Sequence, residues 1–137
     1  MKYKNVLLTG ASGELGKAIV KSSLFPRLLT PSKEILDITR IDMISKFFEK
    51  HDFDAVINCA ALARRKECEE NPIKAIITNI VGTSNLVNEV IRKENNSKKK
   101  IRFLQISTDV VYPGTKGNYS ENDVIIPYNT YGWTKLG

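Results

Sequence analysis

The chain has 137 residues, of which 42% are hydrophobic and 26% are charged. This length suits one domain with a buried core, and the composition is that of a folded, water-soluble protein. No apolar stretch approaches the roughly 18 residues that a membrane helix needs, and the N-terminal residues lack the pattern of a signal peptide. We therefore expect a cytoplasmic protein with no membrane partner.

Basic residues outnumber acidic ones, 21 to 15, which gives a formal net charge of +6. Such a charge suits a nucleotide or a sugar nucleotide as well as a polyanion. The densest basic run, Lys98–Lys100, follows a polar linker and is interpreted as a solvated loop, so we expect no nucleic-acid partner. Cys59 and Cys68 have no second cysteine pair and no adjacent histidine, so neither a metal site nor a disulfide framework is predicted.

Short apolar runs alternate with helical patterns along the chain, which is typical of a parallel α/β sheet. The predicted strands are Asn5–Thr9, Arg27–Leu29, a short piece at Ile35–Leu36, Ala55–Asn58 and Ile101–Ser107. The predicted helices are Glu14–Ser23, Ile41–Lys50 and Pro72 to about Glu94. We therefore predict an α/β protein with a Rossmann-type, doubly wound parallel sheet and helices on both faces.

Local signals refine these elements. Thr39 and Asp42 stand at the spacing of a capping box, and Asn71 is the predicted N-cap of a helix that has Pro72 at its first position. Apolar residues fall on both sides of that last helix, so we expect it to be buried on two sides. The polar segment from Tyr112 to Pro127 predicts a long loop at the carboxyl edge of the sheet, where α/β folds bind ligands.

A glycine-rich turn, Gly10–Gly16, follows the first strand and precedes the first helix. Glycine lets the backbone turn sharply and approach a ligand, and the helix that starts there directs unpaired N–H groups at an anion. The expected anion is a dinucleotide pyrophosphate. The glycine spacing alone also occurs in ordinary turns. The other motifs therefore decide between a nucleotide-binding turn and an ordinary one.

Tyr131 and Lys135 share one face of a helix because they are four residues apart. A nearby cation favours the phenolate, which makes tyrosine a usable acid and base near neutral pH. An isolated pair of this kind is more often the ordinary start of an amphipathic helix. Here Ser107–Asp109 ends the last strand and adds hydroxyl groups at the same edge. Thr108 precedes Tyr131 by 23 residues.

The residues after the second strand bear on the choice of cofactor. An NAD enzyme usually offers a carboxylate about 20 residues past the glycine turn, and none occurs here before Glu34. Ser32 and Lys33 are placed to meet a phosphate instead. The sequence therefore favours NADPH and leaves NADH open, with a solvated loop lysine as the alternative interpretation of Lys33.

Together these motifs resemble the extended short-chain dehydrogenases/reductases, and within them the dTDP-4-dehydrorhamnose reductases. The segments that carry the resemblance are Gly10–Gly16, Leu36–Thr39, Asn58–Ala61, Lys66–Pro72, Asn79–Leu86, Ser107–Gly117 and Pro127–Gly137. The resemblance implies NAD(P)H-dependent reduction of a 4-keto nucleotide sugar. Related dehydratases carry Glu where this chain has Val110, so dehydration is disfavoured.

The resemblance also implies site residues. Tyr131 would donate a proton to the carbonyl oxygen, Lys135 would lower the pKa of Tyr131 and hold the nicotinamide ribose, and Thr108 would bind the reacting oxygen. Asn79 matches a position that supports the active-site lysine, with a helix-packing amide as the alternative. The expected cofactor-binding residues are Gly10, Ser12, Gly13, Glu14, Leu15, Gly16, Lys33, Asp37, Ile38, Cys59, Ala60, Ala61, Asn79, Tyr131 and Lys135.

Two other functions stay open. One is another nucleotide-sugar epimerase/reductase, such as one similar to GDP-fucose synthase, and the other is a non-catalytic nucleotide-binding module similar to the regulatory subunits of methionine adenosyltransferase. The family continues well beyond the Tyr131–Lys135 helix. We therefore expect residues 1–137 to be an NAD(P)-binding Rossmann domain that is incomplete at its C-terminus, lacks the substrate domain and by itself turns over little. The full-length protein could form a homodimer.

Overall fold

A computed structural model describes residues 2–137, and these form two compact units. The first unit runs to Ala60 and includes Val81–Ile106, whereas the second comprises Ala61–Ile80 and Ser107–Gly137. Within residues 2–137, no helix is both long enough and apolar enough to cross a membrane.

The described strands are β1 (Asn5–Thr9), β2 (Arg27–Leu29), β3 (Ala55–Asn58) and β4 (Arg102–Gln105). The described helices are α1 (Glu14–Ser22), α2 (Ile41–Lys50), α3 (Arg65–Glu70), α4 (Pro72–Ile76), α5 (Gly82–Ser97) and α6 (Thr130–Leu136). A π-helical segment, Ile77–Val81, lies between α4 and α5, and a 3-10 turn, Asp109–Val111, follows β4.

The four described strands form one parallel sheet in the order β2-β1-β3-β4. Because side chains alternate along a strand, Leu7 and Val56 point to one face, where they share a core with residues of α2 and α5. Val6 and Leu8 point to the other face, against Ile19 of α1. The predicted fold class is confirmed: a Rossmann-like parallel sheet with helices on both faces. Each of these fully buried strand side chains stabilises the fold by roughly 1.5–3 kcal/mol.

Two of the predicted strands need correction. Ile35–Leu36 is a turn, in which the N–H groups of both residues donate to the Ser32 carbonyl at 3.0 and 2.9 Å. The last strand is shorter than the predicted Ile101–Ser107, because its partner β3 ends at Asn58, opposite Gln105. Beyond Gln105, a bond from the Ile106 N–H to the Asn58 carbonyl, at 3.3 Å, is the last backbone bond described between this segment and β3.

The predicted long helix after Asn71 is interrupted by the π-helical segment, and its expected burial on two sides is wrong at its start. Ile73 is 72% exposed, and Ile76 and Ile77 are exposed as well. Asn71 occupies the N-cap position, but its side chain makes no capping hydrogen bond.

The capping box at Thr39 is also wrong. The Thr39 hydroxyl donates to Asp37 at 2.7 Å, and Arg40 occupies the N-cap position of α2. Helix α3 was not predicted from the sequence, because its residues, RKECEE, lack an apolar periodicity.

Candidate functional site

The glycine turn of the first unit is closed by a hydrogen bond from the Gly13 N–H to the Gly10 carbonyl, at 3.1 Å. Gly10 has a φ of +70°. A Cβ atom at this position would lie 2.5 Å from the backbone of Cys59 and Ala60. Only glycine therefore allows this backbone conformation and the close approach of the end of β3.

Helix α1 begins directly after this turn, at Glu14, and no side chain caps its N-terminus. Its first N–H groups and the positive end of its dipole favour an anionic ligand at this point. Gly16 is buried, and a Cβ atom there would overlap the Gly10 carbonyl oxygen and lie 2.6 Å from Ala11 Cα, so the position requires glycine. Ser12 and Leu15 are exposed at the rim of the turn. These features fit the pyrophosphate of a dinucleotide.

The buried side-chain amide of Asn58 connects the carboxyl ends of three strands of the first unit. Asn58 is fully buried, and its Oδ1 accepts from the Thr9 hydroxyl at 2.5 Å and from the Ala60 N–H at 3.2 Å. Its Nδ2 donates to Gln105 at 2.8 Å and to Thr83 at 3.2 Å. This network fixes the strand ends beside the glycine turn.

The residues after β2 that were expected to contact the cofactor include an ion pair between Lys33 and Asp37. Lys33 Nζ lies 3.6 Å from the Asp37 carboxylate, and the lysine side chain is 78% exposed. A hydrogen bond with Ser32 lowers the pKa of the Glu34 carboxyl. Ile38 is a buried core residue whose carbonyl accepts from Asn85 at 3.0 Å.

The second unit brings Thr108 and Tyr131 together. Burial raises the pKa of the half-buried Tyr131 phenol, a hydrogen bond with Thr108 acts against that shift, and the charges of Cys68 and Asp109 add to it. The direction is opposite to the lowering by Lys135 that the sequence led us to expect. In this state Tyr131 is a neutral phenol at neutral pH and can act as a proton donor.

Helix α6 carries Tyr131 in its first turn and the half-buried Lys135 in its last turn. The Asn129 side chain accepts from the Gly132 N–H at 2.7 Å and thereby caps the helix. A seven-residue helix does not persist in isolation, so such side-chain contacts are needed to hold it.

Asn79 provides one such contact. It is buried in the π-helical segment, and its Oδ1 accepts from the Leu62 N–H at 2.8 Å. Its Nδ2 donates to the Leu62 carbonyl at 3.0 Å and to the Thr134 hydroxyl of α6 at 2.8 Å. Thr134 in turn donates to the Tyr131 carbonyl at 2.8 Å. Asn79 therefore joins α6 to the segment that follows β3.

The sequence matches one protein family, described as the RmlD substrate binding domain, over residues 4–137. The chain belongs to the RmlD substrate binding domain family. Among curated proteins it is 33% identical to the dTDP-4-dehydrorhamnose reductase of Aggregatibacter actinomycetemcomitans, over 95% of this chain and 44% of that protein. It is also 30% identical to methionine adenosyltransferase 2 subunit beta of Xenopus tropicalis, over 97% of this chain and 41% of that protein. The chain thus spans less than half the length of these relatives.

Solved structures of the same kind are similar in fold to this RmlD-family chain. A dTDP-4-dehydrorhamnose reductase of Clostridium acetobutylicum superposes with a TM-score of 0.85 at 34% identity, over 96% of this chain and 46% of that one. The dTDP-4-dehydrorhamnose reductase of Bacillus anthracis, in complex with NADP, superposes with a TM-score of 0.83 at 30% identity. The match covers 99% of this chain and 47% of that one.

The predicted site residues of this RmlD-family chain fall into both units. The first unit holds the glycine turn, Lys33, Asp37, Ile38, Cys59 and Ala60, and the second holds Ala61, Asn79, Thr108, Tyr131 and Lys135. Sequence reasoning missed the polar partners that hold these residues, namely Thr9, Thr83, Gln105, Glu69, Asn129 and Thr134. Their signal is weak because each is an ordinary polar residue, and all except Asn129 have a partner that is distant in the sequence. Asn129 binds the Gly132 N–H three residues further on, which is the local pattern of an N-cap.

We expect the replacement of Asn79 by Ala to lower the free energy of unfolding by about 2–3 kcal/mol, because it leaves both backbone groups of Leu62 without their amide partner. Thr134→Val, which removes one hydroxyl at constant shape, should cost about 1 kcal/mol. Urea unfolding of both variants provides the measurement. Asn96→Ala, at an exposed position of α5, serves as the control, and an equal effect of Asn79→Ala and Asn96→Ala would contradict the assignment.

Proposed function

We propose that this chain is the cofactor-binding part of an NADPH-dependent reductase that converts a 4-keto nucleotide sugar into the corresponding alcohol. The observation that carries the proposal is the placement of Thr108 beside the Tyr131 phenol, with Lys135 one turn further along the same helix. The family supports it, because relatives that match nearly the whole chain are dTDP-4-dehydrorhamnose reductases.

The chemistry requires a hydride at the carbonyl carbon and a proton at the carbonyl oxygen. NADPH, when bound, supplies the hydride. The Thr108 hydroxyl hydrogen-bonds the substrate oxygen, and Tyr131 transfers its phenolic proton to that oxygen as the alcohol forms. The Lys135 ammonium stabilises the phenolate left behind until solvent restores the proton.

The glycine turn and the N-terminus of α1 would hold the pyrophosphate of NADPH, and Lys33 would face its 2′-phosphate. The substrate class that we propose is a dTDP-linked 4-keto sugar, reduced in the cytoplasm for synthesis of a deoxysugar such as rhamnose and of a polysaccharide that contains it. A homodimer of the full-length protein is part of the same proposal.

The likeness to methionine adenosyltransferase 2 subunit beta supports a second candidate, a nucleotide-binding module without turnover. The presence of Thr108, Tyr131 and Lys135 together favours the reductase, because a binding module needs none of their chemistry. A related epimerase/reductase with another nucleotide sugar would use the same three residues.

Two measurements test the proposal. NADPH fluorescence titration should show binding to the 137-residue chain, and the product of the complete reading frame should oxidise NADPH in the presence of dTDP-4-dehydrorhamnose. Binding without turnover of any 4-keto nucleotide sugar would favour the binding module. Absence of binding to both NADPH and NADH would refute the cofactor site.

Lys33→Ala should weaken NADPH binding about fivefold at low salt and leave NADH binding unchanged, because an exposed cation contributes up to about 1 kcal/mol to a phosphate contact. The pairing with Asp37 keeps the lysine near the strand end but limits this gain. Titrations of both nucleotides at two salt concentrations provide the measurement. Lys50→Ala removes the same charge at an exposed position of α2, and an equal loss in that variant would contradict a specific phosphate contact.

A further inference from the structure

Helix α3 contacts the catalytic helix through one carboxylate. The two oxygens of Glu69 accept from the backbone N–H and from the hydroxyl of Thr130, both at 2.8 Å. The two residues are 61 positions apart in the sequence. Thr130 is the first residue of α6 and immediately precedes Tyr131. The carboxylate is therefore bound at the residue that leads into the proposed proton donor.

These bonds have the form of a helix cap supplied from elsewhere in the chain. The first N–H groups of a helix have no partners within it, and α6 satisfies the Gly132 N–H through Asn129 and the Thr130 N–H through Glu69. A negative charge at this end also interacts favourably with the helix dipole. The bonds from Thr130 hold the pKa of the Glu69 carboxyl below its usual range, so the carboxylate is ionised at neutral pH.

A second residue of α3 contacts the same segment. Arg65, one turn before Glu69, has its guanidinium carbon 5.8 Å from the centre of the Tyr128 ring. The same face of α3 thus holds the chain on both sides of Asn129, at Tyr128 and at Thr130. Between these two residues of α3 lies the fully buried Cys68, whose thiol donates to the Leu62 carbonyl at 3.3 Å and fixes α3 in place.

We propose that Glu69 is a positioning residue of the reductase, which holds the start of α6 so that the Tyr131 phenol meets the Thr108 hydroxyl. The proposal rests on the proposed function for its catalytic consequence, whereas its structural part stands independently. Glu69 would act through Thr130, whose backbone N–H and hydroxyl donate to its carboxylate.

Two readouts test this role in three variants. Glu69→Ala removes the cap, Glu69→Gln keeps one carbonyl acceptor, and Glu70→Ala removes the neighbouring carboxylate, which is in an exposed ion pair with Lys66. In Glu69→Ala we expect the amides of Thr134–Leu136 to exchange with solvent about five- to tenfold faster, the ordinary effect of a lost cap. The amides of β1 should be unaffected. Glu69→Gln should be intermediate, and Glu70→Ala should match the wild type.

The second readout is steady-state kinetics of the product of the complete reading frame. Glu69→Ala should lower kcat about tenfold because Tyr131 is misaligned, with the KM for NADPH unchanged, and Glu69→Gln should recover part of the loss. Equal kcat values for Glu69→Ala and Glu70→Ala in an active enzyme would overturn the positioning role. Faster exchange spread equally over β1 and α6 would show general destabilisation and would also overturn it. If the wild type has no turnover, the proposed function fails, and hydrogen exchange alone decides whether Glu69 holds α6.

Discussion

Replacement of Tyr131 by Phe is expected to lower kcat for carbonyl reduction about a thousandfold, because the variant loses the group that protonates the developing alkoxide. The KM for NADPH should change much less than kcat, since Tyr131 is only one of the expected cofactor-binding residues and the glycine turn is untouched. The measurement is steady-state oxidation of NADPH with dTDP-4-dehydrorhamnose by the product of the complete reading frame.

The pH profile gives an independent check on the same residue. Burial raises the pKa of Tyr131, so the phenol keeps its proton at neutral pH and is competent as an acid below that pKa. We therefore expect kcat/KM for reduction to be level through neutral pH and to fall only as the pH rises past about 10, the ordinary tyrosine value. The Tyr131→Phe variant should lose this alkaline limb.

A matched control is Tyr3→Phe. It removes a phenolic hydroxyl of the first unit that accepts from the Arg102 side chain at 3.4 Å. This variant should keep wild-type kcat. Turnover of Tyr131→Phe within about tenfold of the wild type would mean that another group supplies the proton, and the assignment of Tyr131 would be wrong.

Replacement of Gly10 by Ala should abolish measurable NADPH binding and lower the free energy of unfolding by about 2–4 kcal/mol. The φ of +70° is unfavourable for any residue with a side chain, and the new Cβ would lie 2.5 Å from the backbone of Cys59 and Ala60. Backbone atoms at the end of a buried strand cannot move aside as a flexible side chain can. Fluorescence titration and urea unfolding measure the two effects.

Gly117→Ala is the control for that experiment. A Cβ atom at Gly117 would meet no heavy atom within 4 Å, so the same chemical change there should leave binding and stability unaltered. Normal NADPH affinity in Gly10→Ala would show that the turn does not bind the cofactor. Normal stability would show that the backbone at Gly10 can move away from the end of β3 to make room for a Cβ atom.

The parts of the fold that the sequence predicted well depend on local patterns. Strand β1, the glycine turn and α1 follow one another within a short stretch, and each has its own signature of apolar run, glycine spacing and helical pattern. The placement of Tyr131 and Lys135 four residues apart on one helix needs only the helical repeat. Such features do not depend on which distant residues lie nearby.

The features that were missed depend on distant contacts. Glu69 and Thr130 are 61 positions apart, and Asn79 and Thr134 are 55 apart, so no local pattern joins them. The direction of the Tyr131 pKa shift was wrong for the same reason, since the sequence displays the neighbouring lysine but not the burial of the phenol.

The expected burial of the helix after Asn71 on two sides failed because helical spacing does not show what covers a face. Ile73, which is 72% exposed, and Ile76, which is also exposed, lie in α4, before the π-helical segment begins at Ile77. Their exposure therefore reflects the absence, within the described residues, of a packing partner at the start of the helix and is not an effect of the π-helical segment.

The buried amide of Asn58 has a consequence for how the sheet assembles. Its four hydrogen bonds are satisfied only when β1, β3 and β4 pair in the observed register, because a slip of one residue would turn this side chain to the opposite face of the sheet. Apolar strands alone would tolerate a slip more readily than a strand with a polar group that must be paired. Asn58 therefore disfavours misregistered strand pairing during folding. The position of the glycine turn relative to the sheet is thereby set before any nucleotide binds.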